Sequence, residues 1–113
     1  MINIQDRILT AAPAGELDHY QAERLRTQID SAFEKSGCRH LLLDMRAVSF
    51  MDSSGIGMII GRYKMVEKRG GRLVVANMSE SVTKLFDISG LSKIVSQADS
   101  TERAISMLGG VPA

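Results

Sequence analysis

Two short, uninterrupted apolar runs limit what this chain can fold into more than any other feature of its sequence. The first is HLLLD at His40–Asp44, and the second is RLVVA at Arg72–Ala76. Apolar runs of this length, bounded by polar residues, are typical of parallel strands that are buried on both faces. Because parallel neighbours need long crossover connections, we expect helices between and around these strands.

Helical patterns fill the segments that flank the two apolar runs. Within each segment apolar residues recur every three or four positions, as they do on one face of a helix. Most of the segments begin at a polar N-cap residue and end at or near a glycine, which are usual helix boundaries. The four predicted helices extend from the cap Asp18 to Gly37, over Ser54–Lys68, from the cap Ser79 to Gly90, and from the cap Asp99 to Gly109.

The remaining strands are predicted from shorter segments near the two ends of the chain. Two are expected at Ile2–Gln5 and Ile8–Ala14, and a last one at Ile94–Ser96. Pro13 indicates a sheet edge or a strand end, because proline cannot donate a ladder hydrogen bond. The order β-β-α-β-α-β-α-β-α predicts an α/β fold, with a central mixed, mostly parallel sheet of about five strands flanked by about four helices. The first strand is expected to be antiparallel to its neighbour.

Composition and charge argue against several classes of function. The 113 residues carry a net charge of +1 and only 4% aromatic residues, with no tryptophan. This balance gives no basis for a nucleic-acid surface or for attraction to an anionic membrane. No segment approaches the roughly 20 apolar residues of a transmembrane helix, and the start does not resemble a signal peptide. With Cys38 as the single cysteine, we expect one cytoplasmic domain over residues 1–113 without an intrachain disulfide.

The stretch SFMDSSGIGMIIGRYK, residues 49–64, combines a marked helix start with helix-weakening glycines. An aspartate and two serines mark the start, yet three glycines follow, each costing roughly 0.5–1 kcal/mol relative to alanine. On a helical wheel, one face is apolar and is expected to pack against the sheet; it contains Ile56, Ile59, Ile60, Tyr63 and Val66. The opposite face, with the positions beside it, carries Ser54, Met58, Gly61, Met65, Lys68, Gly57 and Lys64.

This glycine–methionine face is open to two interpretations on spacing alone. Its glycines either allow another element of the same domain to approach closely, or form part of a flat surface shaped for a partner. Methionine side chains suit the second interpretation because they adapt to uneven surfaces. Gly55 lies apart in the first turn, where it permits a tight start or leaves room over the serines. Basic residues near the helix end favour its dipole or contact an acidic partner: Arg62, Lys64, Lys68, Arg69 and Arg72.

No enzymatic or metal-binding motif is found in the sequence. The glycine spacing matches neither a dinucleotide-binding loop nor a P-loop, and the serines lack the glycine that precedes a hydrolase nucleophile. His19 and His40 are better explained as a first-turn helix residue and a strand-start residue than as members of a catalytic triad. Asp18, Asp44 and Asp52 are explained as helix caps and a strand end rather than as a magnesium site. We therefore expect no catalytic residue, no metal site and no cofactor.

Three segments together resemble the STAS-domain anti-anti-sigma factors: GELDHYQAE, FMDSSGIGMIIGRYK and KLFDISGLSKI. The likeness runs through nearly the whole chain and is greatest to the sporulation members of the family, which control sigma-F. It implies a STAS fold and a regulatory role without enzymatic activity. The segment LTAAPAG is less apolar than the second strand usual in the family, which leaves the extent of that strand open.

The resemblance also implies a phosphorylation switch. In this family the first serine of Asp-Ser-Ser-Gly, here Ser53, is phosphorylated by the anti-sigma factor, a serine kinase that binds ATP and ADP. The unphosphorylated protein binds the anti-sigma factor and releases the sigma factor, and a PP2C-type phosphatase restores the serine. Together with the helical wheel, the resemblance places the partner-binding surface at Gly15, Glu16, Asp18, Asp52, Ser54, Gly55, Gly57, Met58, Gly61 and Met65.

Two alternative functions are compatible with the same Asp-Ser-Ser-Gly motif. One is a STAS-type regulatory domain that binds a small molecule or nucleotide, with an anion at the start of the second helix. The other is an anti-anti-sigma factor of a general stress pathway. Phosphorylation in the presence of a cognate kinase separates the first alternative from a protein-binding switch, whereas the identity of the partner separates the second.

Overall fold

The computed structural model describes residues 2–111, and these form two β-sheets and four α-helices. The strands are β1 (Ile2–Gln5), β2 (Ile8–Ala11), β3 (Ala14–Leu17), β4 (His40–Asp44), β5 (Ala47–Met51), β6 (Leu73–Ala76) and β7 (Ser96–Ala98). The helices are α1 (His19–Ser36), α2 (Ser53–Lys68), α3 (Glu80–Ile88) and α4 (Thr101–Met107). Within this part of the chain, no helix has the length and apolar character needed to cross a bilayer.

The main sheet has five strands in the order β1-β2-β4-β6-β7. Strand β1 pairs antiparallel with β2, and the other neighbours pair in parallel. Strands β4 and β6 occupy the centre, where Leu42, Val74 and Val75 are fully buried. The structure therefore confirms the predicted α/β class, the mixed sheet, and the antiparallel first strand.

Helices cover the two faces of the main sheet unequally. Side chains from α1, α2 and α3 join one large core on the first face, with Phe33, Ile59 and Phe86 fully buried. On the second face, Ala104 of α4 and Leu108, the C-cap of that helix, belong to a smaller cluster. Because successive strand residues point to opposite faces, the apolar runs of β4 and β6 supply both clusters. The continuous apolar pattern of these strands follows from burial on both faces.

Strands β3 and β5 form a second, two-stranded parallel sheet that the sequence analysis did not predict. The predicted second strand extended to Ala14, but β2 ends at Ala11 and Ala14 begins β3. The rest of β3 and all of β5 lie in segments for which no strand was predicted. Three of the four β3 residues are exposed, and β5 also has three exposed positions. Neither strand carries the apolar run of a buried strand, so local sequence gives little sign of their pairing.

The elements near the C-terminus begin later than predicted. Gly90, with φ 85°, is followed by a 3-10 turn over Leu91–Lys93, and Ile94 and Val95, which were expected to start the last strand, adopt turn and bend conformations instead. Strand β7 therefore occupies Ser96–Ala98 instead of Ile94–Ser96. The N-cap of α4 is Ser100, whose side chain accepts a hydrogen bond from the Arg103 N–H, so the predicted cap at Asp99 is wrong.

Candidate functional site

Asp52 builds the start of α2. Its Oδ1 accepts hydrogen bonds from the backbone N–H groups of Ser54, at 2.9 Å, and Gly55, at 3.3 Å. This confirms the predicted N-cap role, in which a short acidic side chain satisfies donors that have no partner within the helix. Ser53 is the first helical residue and its side chain is exposed. Its hydroxyl therefore stands at the positive end of the helix dipole and is accessible from solvent.

The two adjacent serines lie in different surroundings. Whereas Ser53 is exposed, Ser54 is half-buried and its Oγ lies 3.3 Å from Nδ1 of His19. In the sequence, only the family resemblance distinguishes Ser53 from Ser54, whereas the structure supplies an independent difference between the two serines. His19 was not among the predicted site residues, because 35 residues separate it from Ser54 and no local pattern links the two.

A close backbone contact brings the starts of α1 and α2 together. The Asp52 N–H donates to the carbonyl oxygen of Leu17, at 3.3 Å, just before the α1 cap. A Cβ added to Gly55 would lie only 2.9 Å from that same oxygen and 2.9 Å from the Met51 Cβ. Real Cβ atoms essentially never lie so close to another heavy atom, so Gly55 is required for this junction. Of the two roles considered for Gly55, the structure supports the tight start of the helix.

Strand β3 carries the other predicted contact residues to this junction. Gly15 has φ 79°, a left-handed conformation that favours glycine, and the β3–β5 register shifts between Gly15 and Glu16. Both residues are exposed. Asp18 accepts from the Gln21 N–H at 2.9 Å, which confirms it as the α1 cap. Pairing of β3 with β5 thus places residues 15–18 beside the segment that ends at Asp52.

Two glycines of α2 face open space. A Cβ added at Gly57 or at Gly61 would meet no heavy atom within 4 Å. Close approach of another element of the same domain therefore does not explain either glycine. The remaining interpretation, a surface shaped for a partner, is the one that these two positions support.

The helical wheel was wrong about one methionine of this face. Met58 is only 5% exposed and belongs to the core, although it was predicted to lie on the outer face. Met65 is half-buried and packs against the same core, while Ile56 and Ile60 are half-buried rather than enclosed. Because α2 packs against α1 as well as against β5 and β6, its buried surface is wider than one apolar stripe. Met58 is therefore withdrawn from the exposed partner-facing residues.

One member of the predicted basic cluster connects the two helices of the site. Arg62 Nε lies 3.1 Å from Oδ1 of Asp30 on α1, and the Arg62 side chain is 12% exposed. Burial lowers the pKa of the Arg62 guanidinium, while the nearby Asp30 carboxylate opposes that shift. Arg72 is also structural, since its side chain donates to the Met107 carbonyl and to Ser96 Oγ. Lys64, Lys68 and Arg69 remain exposed on the α2 side.

Comparison with known proteins places the fold in a family. Residues 1–104 match the STAS domain family. The chain belongs to the STAS domain family. Two similar relatives carry the names of anti-sigma factor antagonists. The anti-sigma F factor antagonist of Paenibacillus polymyxa is 39% identical over 101 residues, covering 89% of this chain and 86% of the relative. The anti-sigma-B factor antagonist of Bacillus subtilis is 39% identical over 92 residues, covering 81% of this chain and 83% of the relative.

Two solved structures of one antagonist also resemble this STAS domain. The anti-sigma factor antagonist SpoIIAA in its unphosphorylated form has a TM-score of 0.77 and 29% identity, over 98% of both chains. The Bacillus cell fate determinant SpoIIAA in its phosphorylated form has a TM-score of 0.74 and 30% identity, covering 95% of this chain and 96% of that one. The seven strands and four helices described above are therefore those of a STAS fold.

Asp44 and His40 make hydrogen bonds that support the fold of this STAS domain. Asp44 Oδ1 accepts from the Asn77 side chain at 3.0 Å and from the Arg46 N–H at 3.1 Å. His40 begins β4, as predicted, and its Nδ1 accepts from the Arg72 N–H at 3.0 Å. Among residues 2–111, the structure contains no group of three or more histidine, cysteine, aspartate and glutamate side chains placed to hold a metal ion.

Proposed function

We propose that this STAS domain is an anti-sigma factor antagonist whose binding is switched off by phosphorylation of Ser53. The observation that carries the proposal is the exposed Ser53 hydroxyl at the capped start of α2, on the same helix as Gly57 and Gly61, which face open space. Relatives named as anti-sigma factor antagonists support the class of function. The phosphorylated form of SpoIIAA, whose fold this chain shares, supports a phosphorylation switch.

The start of α2 is suited to carry a phosphate without a change of fold. A phosphoserine carries about −1.5 to −2 charges at pH 7, and the dipole of a helix N-terminus stabilises negative charge near the first turn. The same dianion would stand beside the partner-facing surface, where it would clash with a docked protein and retain water. A loss of about 4 kcal/mol would weaken binding roughly a thousandfold. The switch in this proposal is therefore a local block of an interface.

The finer identity of the partners is part of the same proposal. The anti-sigma factor would be a serine kinase of the sigma-F type that binds ATP and ADP, and its partner cycle would take place in the cytoplasm during sporulation. A PP2C-type phosphatase would restore Ser53. The protein itself would act by binding, without catalysis. Because relatives include antagonists of both anti-sigma F and anti-sigma-B factors, the kinase must be tested against both types.

A phosphorylation and binding experiment tests the proposal. The protein is incubated with ATP and either a sigma-F-type or a sigma-B-type anti-sigma factor from the same organism, and the added mass and its position are measured. We expect one phosphate on Ser53 with the sigma-F type, no phosphate in Ser53→Ala, and normal transfer in the control Ser31→Ala on the exposed side of α1. Calorimetry should show weaker binding for Ser53→Asp. A protein that neither binds nor is phosphorylated by either factor would contradict the proposal.

A further inference from the structure

The contact between His19 and Ser54 is a feature of the site that the proposed switch does not use. His19 is the first residue of α1, and Ser54 is the second residue of α2. Their side chains approach to 3.3 Å between Nδ1 and Oγ, within the range of a hydrogen bond. Among residues 2–111, the structure gives Ser53 Oγ no comparable side-chain partner. One serine hydroxyl of the pair is therefore engaged, and the other is free.

Hydrogen bonds of the backbone and of a helix cap place His19 beside the start of α2. The Asp18 cap orders the first turn of α1, and the hydrogen bond from the Asp52 N–H to the Leu17 carbonyl joins this turn to the start of α2. The absence of a Cβ at Gly55 allows the two segments to lie this close. These contacts place the His19 backbone beside the start of α2, where its exposed ring lies within hydrogen-bond distance of Ser54 Oγ.

We infer that His19 is a positioning residue that determines which of the two adjacent serines is phosphorylated. It holds the half-buried Ser54 hydroxyl and leaves Ser53 as the available acceptor. This inference rests on the proposed function, because it concerns the same phosphoryl transfer. It adds a residue on α1 to the determinants of a modification on α2.

The chemistry of the transfer explains why a held hydroxyl is the poorer acceptor. The serine Oγ forms a bond to the γ-phosphorus of a nucleoside triphosphate as the bond from that phosphorus to the β,γ-bridging oxygen breaks. The nucleoside diphosphate leaves, and the hydroxyl proton passes to a base of the kinase or to solvent. Before it reacts, Ser54 must turn away from His19 and lose the hydrogen bond. A typical hydrogen bond changes such an equilibrium by about threefold to tenfold, in addition to the effect of partial burial.

The inference is best tested by an increase in phosphorylation of Ser54, because a substitution that only damages the fold would not make Ser54 a better acceptor. In the Ser53→Ala background, the anti-sigma factor and ATP should add almost no phosphate. Adding His19→Ala should raise phosphorylation of Ser54 by about threefold or more. His19→Asn in the same background is the matched control, since its amide can still bond to Ser54. It should keep phosphorylation low.

The hydrogen bond itself is measured without a kinase. Nitrogen-detected NMR spectra of the His19 ring should change in Ser54→Ala and remain unchanged in Ser53→Ala, with the His40 ring as an internal reference. If the NMR signals of the His19 ring are unchanged in Ser54→Ala, the inference is overturned. It is also overturned if the wild type is phosphorylated normally but the His19→Ala/Ser53→Ala protein gains no phosphate on Ser54. If the wild type itself is not phosphorylated, the proposed function fails, whereas the NMR result still decides whether His19 holds Ser54.

Discussion

Asp52 links the stability of α2 to the proposed phosphorylation of Ser53. Its carboxylate oxygen holds two backbone N–H groups of the first turn, so its loss leaves those donors without a partner. Asp52→Ala should lower the free energy of unfolding by about 0.5–2 kcal/mol, measured by urea denaturation. Asp52→Asn is the control, because asparagine caps equally well. If Asp52→Asn keeps its stability but is no longer phosphorylated, the carboxylate charge of Asp52 is needed for phosphorylation and not only for capping.

His40 is expected to make stability depend on pH. Burial, and then the charges of Arg39, Arg7 and Arg72, lower its pKa from the ordinary value of 6.5. The unfolded chain therefore binds a proton more readily, so this stabilisation is present above that value and declines as the pH falls below it. Between about pH 7.5 and about pH 5.5, the wild-type urea midpoint should fall more than that of His40→Asn. Equal falls in the two proteins would contradict this assignment.

Helix α2 contains two glycines whose replacement by alanine is expected to change the stability of the domain in opposite directions. Gly55→Ala would place a Cβ 2.9 Å from the Leu17 carbonyl oxygen, and such overpacking costs typically about 1–3 kcal/mol. Gly57→Ala meets open space and should stabilise the helix by roughly 0.5–1 kcal/mol. The two substitutions are chemically identical and lie in the same helix, so each serves as the control for the other. Thermal or urea unfolding should move in opposite directions.

Gly57 and the half-buried Gly61 are also expected to mark the contact with the anti-sigma factor. Gly57→Leu and Gly61→Leu add bulk at positions where a Cβ would meet no heavy atom within 4 Å, and urea denaturation of each variant checks that folding is preserved. If a partner docks on this face, each should weaken binding about tenfold or more, as measured by calorimetry. Ser106→Leu, on α4 against the other face of the sheet, is the control. Unchanged binding in both glycine variants would place the contact elsewhere.

The contrast between the buried strands β4 and β6 and the largely exposed strands β3 and β5 explains which elements could be predicted from the sequence. β4 and β6 were predicted because burial on both faces demands an apolar residue at nearly every position. β3 and β5 were missed because each has three exposed positions, and their stability comes from pairing with a distant segment. For α2, the wheel correctly placed Ile59 and Val66 in the core, but it missed the burial of Met58 because α1 also packs against the helix.

For the whole molecule, phosphorylation of Ser53 should leave the fold unchanged. The start of α2 is held by Asp52, while Ile59 and Val66 anchor the helix in the core. In amide NMR spectra of the two forms, changes should be confined to the start of α2 and to the β3–α1 segment beside it. Large changes across the central strands or α3 would indicate a rearrangement and would contradict a local block.

The α/β class and the mixed central sheet were predictable, but the second sheet and the assembly of the site were not. The alternation of apolar runs and helical segments leaves few ways to build one domain, and the family resemblance agreed with the result. The contact between His19 and Ser54 and the backbone bond between Asp52 and Leu17 each span about 35 residues. Such contacts arise from the β3–β5 pairing, which local sequence patterns do not encode.

The two-stranded β3–β5 sheet has a consequence for attempts to imitate or block the surface. It joins residues 15–19 to residues 52–61, so the proposed recognition surface is a discontinuous epitope that exists only in the folded domain. A linear peptide copying residues 49–64 would contain the phosphate acceptor without the neighbouring half of the surface. Effective competitors for the anti-sigma factor would therefore be intact domains or scaffolds that present both segments together.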